Sequence, residues 1–149
     1  MIGIVVTGHG NFATGLTSSV KLIAGMPEKY VAVDFVQEDS TDDLTSHLKA
    51  AFEQLAGCEG GILVFTDLMG GSPFKMSVEL SVALKDKYKI RVVTGTNLGM
   101  LIEANMSRGF MEDVDSLADM AIETGKQQLM KYVYTEHTAA DEASDSDGI

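Results

Sequence analysis

Apolar runs and helix-period stripes alternate along this chain. Ile2, Ile4, Val5 and Val6 form a nearly continuous apolar run, the signature of a strand covered on both faces. Phe12, Leu16, Val20 and Ile23 follow at helical spacing, and Gly25-Met26-Pro27 stops that helix. Residues 30–36 read as a second strand. Ser40 or Thr41 caps a second helix whose apolar face carries Leu44, Leu48, Ala51, Phe52 and Leu55. Gly60-Gly61 precede a third strand over 62–66, which Asp67 ends. Ser72-Pro73 pairs a cap residue with a proline at the first helical position, so a third helix runs from there to about Asp86. A fourth strand covers 90–94. A loop with Gly95, Asn97 and Gly99 leads into a short helix over 100–107, and a further helix spans 115–124 with Gly125 as its stop. Leu129, Lys131 and Val133 then alternate with Met130, Tyr132 and Tyr134, which favours a late strand over residues 127–135.

Strand–helix alternation builds an α/β fold, an open and mainly parallel sheet with helices on both faces. Right-handed crossovers leave few topologies. With the first strand central and the second and third beside it, the order is 2-1-3-4. The switch point then falls between strands one and three, where sites form at carboxyl ends. His9 ends the first strand and Asp67 the third, so this order brings them together despite their distance in sequence.

At 149 residues the chain reads as one domain over residues 1–135. The remaining residues, 136–149, are small and acidic, the composition of a disordered tail. No apolar run is long enough for a membrane span, and no signal peptide precedes the first strand. Cys58 stands alone, so no internal disulfide forms, which suits a reducing cytoplasm. The formal charge is −11. Glu136, Asp141, Glu142, Asp145 and Asp147 follow Tyr134, leaving 17 acids against 11 bases in the body. That balance argues against nucleic acid, whose phosphates need Lys and Arg. It allows a basic protein partner.

The chemistry concentrates at Thr7-Gly8-His9-Gly10. A lone histidine is usually structural, but this one sits between two glycines at a strand's end and not on a helix face. Histidine carries a nucleophilic nitrogen at cellular pH. His47 reads as a surface residue of the second helix and His137 belongs to the tail; three such dispersed histidines make no metal site. The second constellation is Asp67-Leu68-Met69-Gly70-Gly71-Ser72-Pro73-Phe74. Asp67 can accept a hydrogen bond from one ring nitrogen of His9, which fixes the tautomer and leaves the other nitrogen's lone pair outward. Gly70 and Gly71 free the backbone to approach an anion, and Ser72 with the helix start offers N–H groups to a phosphate. Taken alone this is a helix cap after a glycine turn; beside His9 it is a phosphate cradle. Nucleotide loops of the Gly-x4-Gly-Lys-Ser/Thr type are absent, so a nucleotide is not the direct phosphoryl donor.

These two motifs together, Thr7–Gly10 and Gly61–Phe74, resemble the IIA component of the mannose-type phosphotransferase system, as does Glu123-Thr124-Gly125 near the end. The likeness runs from residue 1 to about 134. It implies a phosphorylation cycle in which HPr phosphorylates His9 and a IIB domain takes the group on, coupled to sugar uptake through membrane IIC and IID components. It assigns Asp67 as the partner that orients His9, and Gly71 and Ser72 to the phosphate-binding turn. Met69 and Phe74 become candidates for the partner-contacting surface, although Leu68-Met69 stands where some members have a Thr-Trp pair. The resemblance also implies a cytoplasmic protein, reaching the membrane's inner face through the permease complex, with no cofactor. It implies a homodimer exchanging an antiparallel C-terminal strand, which fits residues 127–135.

Three rival readings use the same residues. The phosphocarrier subunit of a dihydroxyacetone kinase has a similar domain and histidine chemistry. A histidine-phosphatase-like hydrolase needs an arginine cluster on its phosphate, and the only arginines, Arg91 and Arg108, are far from His9 in sequence. A flavodoxin-like binding module would carry flavin and no chemistry of its own.

Overall fold

The computed structural model describes residues 1–136. Its four strands are β1 (Gly3–His9), β2 (Tyr30–Phe35), β3 (Ile62–Thr66) and β4 (Ile90–Val93). They form one parallel sheet of order β2-β1-β3-β4. Its helices are α1 (Phe12–Ala24), α2 (Thr41–Gln54), α3 (Ser72–Ala83), α4 (Leu98–Ser107) and α5 (Val114–Gln127). The expected α/β class, strand order and switch point between β1 and β3 are all present.

The strand period divides the core. Ile2, Ile4, Val6, Leu63 and Phe65 face α1, α4 and α5. Val5, Ile62 and Val64 face α2 and α3 with Leu44, Leu48 and Phe52. β1 and β3 are covered on both faces, which explains why their sequences read as runs and not as alternation. α2 opens on a complete capping box: Asp43 N–H donates to Ser40 Oγ and Ser40 N–H to Asp43 Oδ2.

Several boundaries depart from expectation. The apolar run at the chain's start predicts a strand over 2–7, but β1 runs two residues past it, so His9 is its last member, paired with Phe35 of β2, and only Gly10 turns, at φ +58°. On α1 the buried face is Ala13, Thr17 and Val20, with Phe12 and Leu16 partly buried at its edge and Ile23 exposed. α3 begins at Ser72 with Gly71 as its N-cap, one residue earlier than the serine cap expected, and ends at Ala83. Gly125 does not stop α5. It is buried inside the helix, where a Cβ would lie 2.8 Å from Met100 Sδ; close packing of α4 on α5 requires it. Gln127 therefore belongs to α5, and residues 128–135 form no strand within the single chain. The tail expected over 136–149 lies, past residue 136, outside the described residues. No helix among those described is long and apolar enough to cross a membrane.

Candidate phosphoryl-transfer site

β1 and β3 end side by side, with Thr7 opposite Thr66, so the next residues of each strand emerge at one rim. There Asp67 Oδ2 accepts two hydrogen bonds from His9, one from its backbone N–H at 2.9 Å and one from ring Nδ1 at 2.7 Å. Asp67 Oδ1 accepts from Leu68 N–H at 2.8 Å. The carboxylate is thus held by its own loop and by the strand carrying the histidine. The aspartate side chain is 10% exposed and the imidazole 46%. Burial pulls the Asp67 carboxyl upward, but the N–H of His9, its ring and the N–H of Leu68 outweigh this and hold it below the ordinary carboxylate range. An ionised carboxylate only accepts hydrogen bonds, so the bridging proton sits on Nδ1. Nε2 then keeps its lone pair, and it makes no hydrogen bond among the described residues. The ring of Phe35 stands edge-on to the imidazole at 5.9 Å, a second lateral support.

The glycines divide the work differently from the sequence reading. Gly8 makes room for Phe12, whose ring lies 2.4 Å from where a Cβ would be. It is Gly71 that clears space for the imidazole: a Cβ there would lie 2.7 Å from His9 Cε1. Gly70 takes φ +83° and swings the chain so that the start of α3 meets the ring. Ser72 opens α3 and Pro73 follows it. Met69 is 82% exposed on the loop between β3 and α3, whereas Phe74 is half-buried in the first turn of α3.

Two helices start near His9, and their N-termini are unlike. At α1 the Asn11 side chain makes no capping bond. Asp34, at the end of β2, replaces it, accepting from Thr14 N–H at 3.0 Å and Thr14 Oγ1 at 2.7 Å. At α3 there is no side-chain cap and no acid in the first turn. A helix start leaves its first N–H groups unpaired and carries partial positive charge. One of the two is already neutralised; the other faces His9 open. Asp34, Thr14 and Phe35 escaped the sequence reading, because β2 to α1 contacts carry no motif. The acid that interrupts an apolar strand at position 34 was the available signal. Among the described residues no group of three His, Cys, Asp or Glu could hold a metal ion.

This fold and rim define a switch-point histidine domain, and comparison with known proteins names its class. A family described as the PTS system fructose IIA component matches residues 3–122. The chain is similar to the mannose-specific EIIAB component of Escherichia coli (strain K12), 32% identical over 126 residues, covering 85% of this chain and 38% of that protein. It thus spans well under half the length of that relative. The sorbose-specific EIIA component of Lacticaseibacillus casei is 32% identical over 108 residues, covering 72% of this chain and 75% of that one. Among solved structures, phosphotransferase system component EIIA from Streptococcus agalactiae superposes with a TM-score of 0.81 at 41% identity, covering 88% and 97%. The mannose/sorbose-specific IIA subunit from Enterococcus faecalis gives 0.80 at 27%, covering 91% and 98%. The chain belongs to the IIA component family of the phosphotransferase system.

Proposed function

We propose that this protein is a phosphoryl carrier in a sugar phosphotransferase system, taking the group from phospho-HPr onto His9 and passing it to a IIB domain. The observation that carries the reading is the 2.7 Å bond from His9 Nδ1 to Asp67, which leaves Nε2 as the free nucleophile. Nε2 attacks phosphorus in line. The P–N bond of the donor phosphohistidine breaks as the new P–N bond forms, and the electron pair returns to the donor ring. The His9 ring becomes cationic as it is phosphorylated, and the Asp67 carboxylate stabilises that charge through the Nδ1 proton. Transfer to IIB reverses these roles.

The phosphoryl oxygens are received at the open start of α3 by the N–H groups of Ser72 and Phe74, while Gly71, whose own N–H turns back to Leu68 O at 3.4 Å, gives them room to approach. Gly71 supports this assignment because its backbone lies against the ring. Exposed Met69 and half-buried Phe74 contribute to the surface that HPr and IIB share. IIC and IID are reached only through IIB, so the sugar never touches this chain. The protein works in the cytoplasm, at the membrane's inner face when the permease is assembled.

The same proposal includes a homodimer. Leu129, Met130, Tyr132, Val133 and Tyr134 are all largely exposed in the single chain, and strand alternation there suits pairing with a neighbour's sheet edge. Sedimentation of the full chain as a dimer at micromolar concentration, and as monomer or insoluble protein once residues 128–149 are removed, is the expected result.

The decisive experiment combines phosphoenolpyruvate, enzyme I and HPr with wild type and His9→Ala. Wild type takes up acid-labile phosphate and the variant takes up none, with its melting temperature retained. Normal incorporation into His9→Ala would overturn the reading.

A further inference from the structure

We propose that the end of the sheet opposite His9 is a docking surface for a basic amphipathic helix of a partner protein. Arg108 marks this end. Its guanidinium donates to the carbonyl oxygens of Ile2, Glu28 and Lys29 at the amino ends of β1 and β2. Two shallow hollows meet there and share Met1, Arg108 and Gly109. One, of about 330 Å³, is walled by Met26, Met106 and Phe110 with Glu28 at its side. The other, of about 550 Å³, is walled by Met111 with Glu59 and Glu112. Phe110 is 91% exposed, and Met1, Met26 and Met106 are each more than half exposed.

A soluble protein seldom leaves such a contiguous apolar patch uncovered without a use. Its composition says what kind of use. Methionines are unbranched and polarizable, so they repack around different apolar side chains. A methionine-lined hollow with an aromatic at its lip is the type of surface that receives one face of an amphipathic helix. Charge decides the sign of the partner. The basic side chain lining the hollows, Arg108, is 3% exposed and committed to carbonyl oxygens. Three acidic residues, Glu28, Glu59 and Glu112, line the same hollows. A second copy would bring an equal set of acids against these. The chain's own residues 137–149 contain four acids and no Lys or Arg, so they are repelled as well. A helix with apolar side chains at i, i+3, i+4 and i+7 and Lys or Arg on its flanks satisfies both the hollows and their rim.

The test uses a fluorescein-labelled peptide of about 18 residues built from Leu and Lys at that spacing, and a scrambled peptide of identical composition. Wild type should bind the patterned peptide with a dissociation constant on the order of micromolar and induce helix in it. The scrambled peptide should bind at least ~10-fold more weakly. Phe110→Ser with Met106→Ser, two exposed positions, should weaken binding ~10-fold or more. Glu28→Lys with Glu112→Lys should weaken it and flatten its salt dependence. Equal binding of both peptides, or an unaltered affinity in the serine variant, would show only the general attraction of an acidic chain and overturn the proposal. So would a fall in the sedimentation coefficient of the peptide-free serine variant, because a second copy would then be the occupant.

Discussion

The two ends of the β-sheet each hold one cationic or cation-forming side chain among backbone groups, with opposite consequences. At the amino ends, Arg108 is buried and its donors are taken up by three carbonyl oxygens from two chain segments. At the carboxyl ends, His9 is half-exposed, and only one of its two ring nitrogens is engaged. The first arrangement ties α4 to β1 and to the residues before β2. The second leaves a lone pair pointing outward with a fixed direction. A polar side chain at a strand end is structural when its hydrogen-bonding capacity is filled from within. It is reactive when one partner fixes its tautomer and the remaining capacity is left open.

Substitutions at the two ends should separate stability from chemistry. Arg108→Met has the largest expected effect on folding. It leaves the buried carbonyl oxygen of Ile2 and the part-buried one of Glu28 without this donor, while Lys29 O keeps Ile4 N–H at 3.0 Å, a loss of about 2 kcal/mol. Denaturant unfolding measures it. Phosphate uptake at low temperature should persist, because the arginine acts at the far end. A fall in transfer rate at full folding would break the comparison.

Gly71→Ala should do the reverse. The added Cβ would meet His9 Cε1 at 2.7 Å, so the ring or the start of α3 shifts. A displacement of about 1 Å at a reacting atom costs on the order of 100-fold in rate. The φ of Gly71 is −73°, which alanine adopts freely, so stability should hardly move. Single-turnover transfer from phospho-HPr, beside a melting curve, reads both quantities. An unchanged rate would mean that the ring does not depend on the start of α3.

Asp67→Asn should lower the transfer rate on the order of 10- to 100-fold, as removal of a group orienting a functional histidine does. HPr binding should remain. The amide does not balance the developing ring charge, and it can offer its own N–H to Nδ1 and so select the other tautomer. The same carboxylate gives a pH signature. Its folded-state pKa is lowered, so its stabilising contribution is present above the ordinary carboxylate range and is lost as pH falls through the lower folded value. Wild type should therefore lose melting temperature more steeply on acidification than Asp67→Asn. Parallel pH profiles would show that the His9 contact contributes nothing to folding.

Much of this was legible in the sequence, for identifiable reasons. β1 and β3 are buried on both faces, and that environment writes itself as apolar runs such as Ile62-Leu63-Val64-Phe65. Right-handed crossovers then set the carboxyl ends of β1 and β3, and with them His9 and Asp67, side by side. Helix ends were less legible because the interior glycine at 125 is required by Met100 on another helix, a tertiary cause that looks locally like a stop. The capping of α1 by Asp34 is invisible for the same reason: donor and acceptor are 20 positions apart. The apolar pole was hidden too. Met1, Met26 and Phe110 come from three chain segments that only the fold brings together.

The smallest expected effect comes from removing the acidic C-terminal residues. Truncation after Thr135 removes five of the chain's acids, and the net charge moves from −11 towards −6. Residues 136–149 contain Ile149 as their only large apolar side chain, so there is little surface to bury and little hydrophobic stabilisation to lose. Less self-repulsion should offset what loss there is, more so at low ionic strength. The truncated protein should melt within about 2 °C of the full chain at moderate salt, roughly the shift that a few tenths of a kcal/mol produces in a domain of this size. Its phosphate uptake through His9 should be unchanged. A clearly lower melting temperature would show that this segment packs on one of the two ends. Repeating the truncation with Phe110→Ser would identify which: additive losses point to the His9 end, non-additive ones to the methionine-lined end.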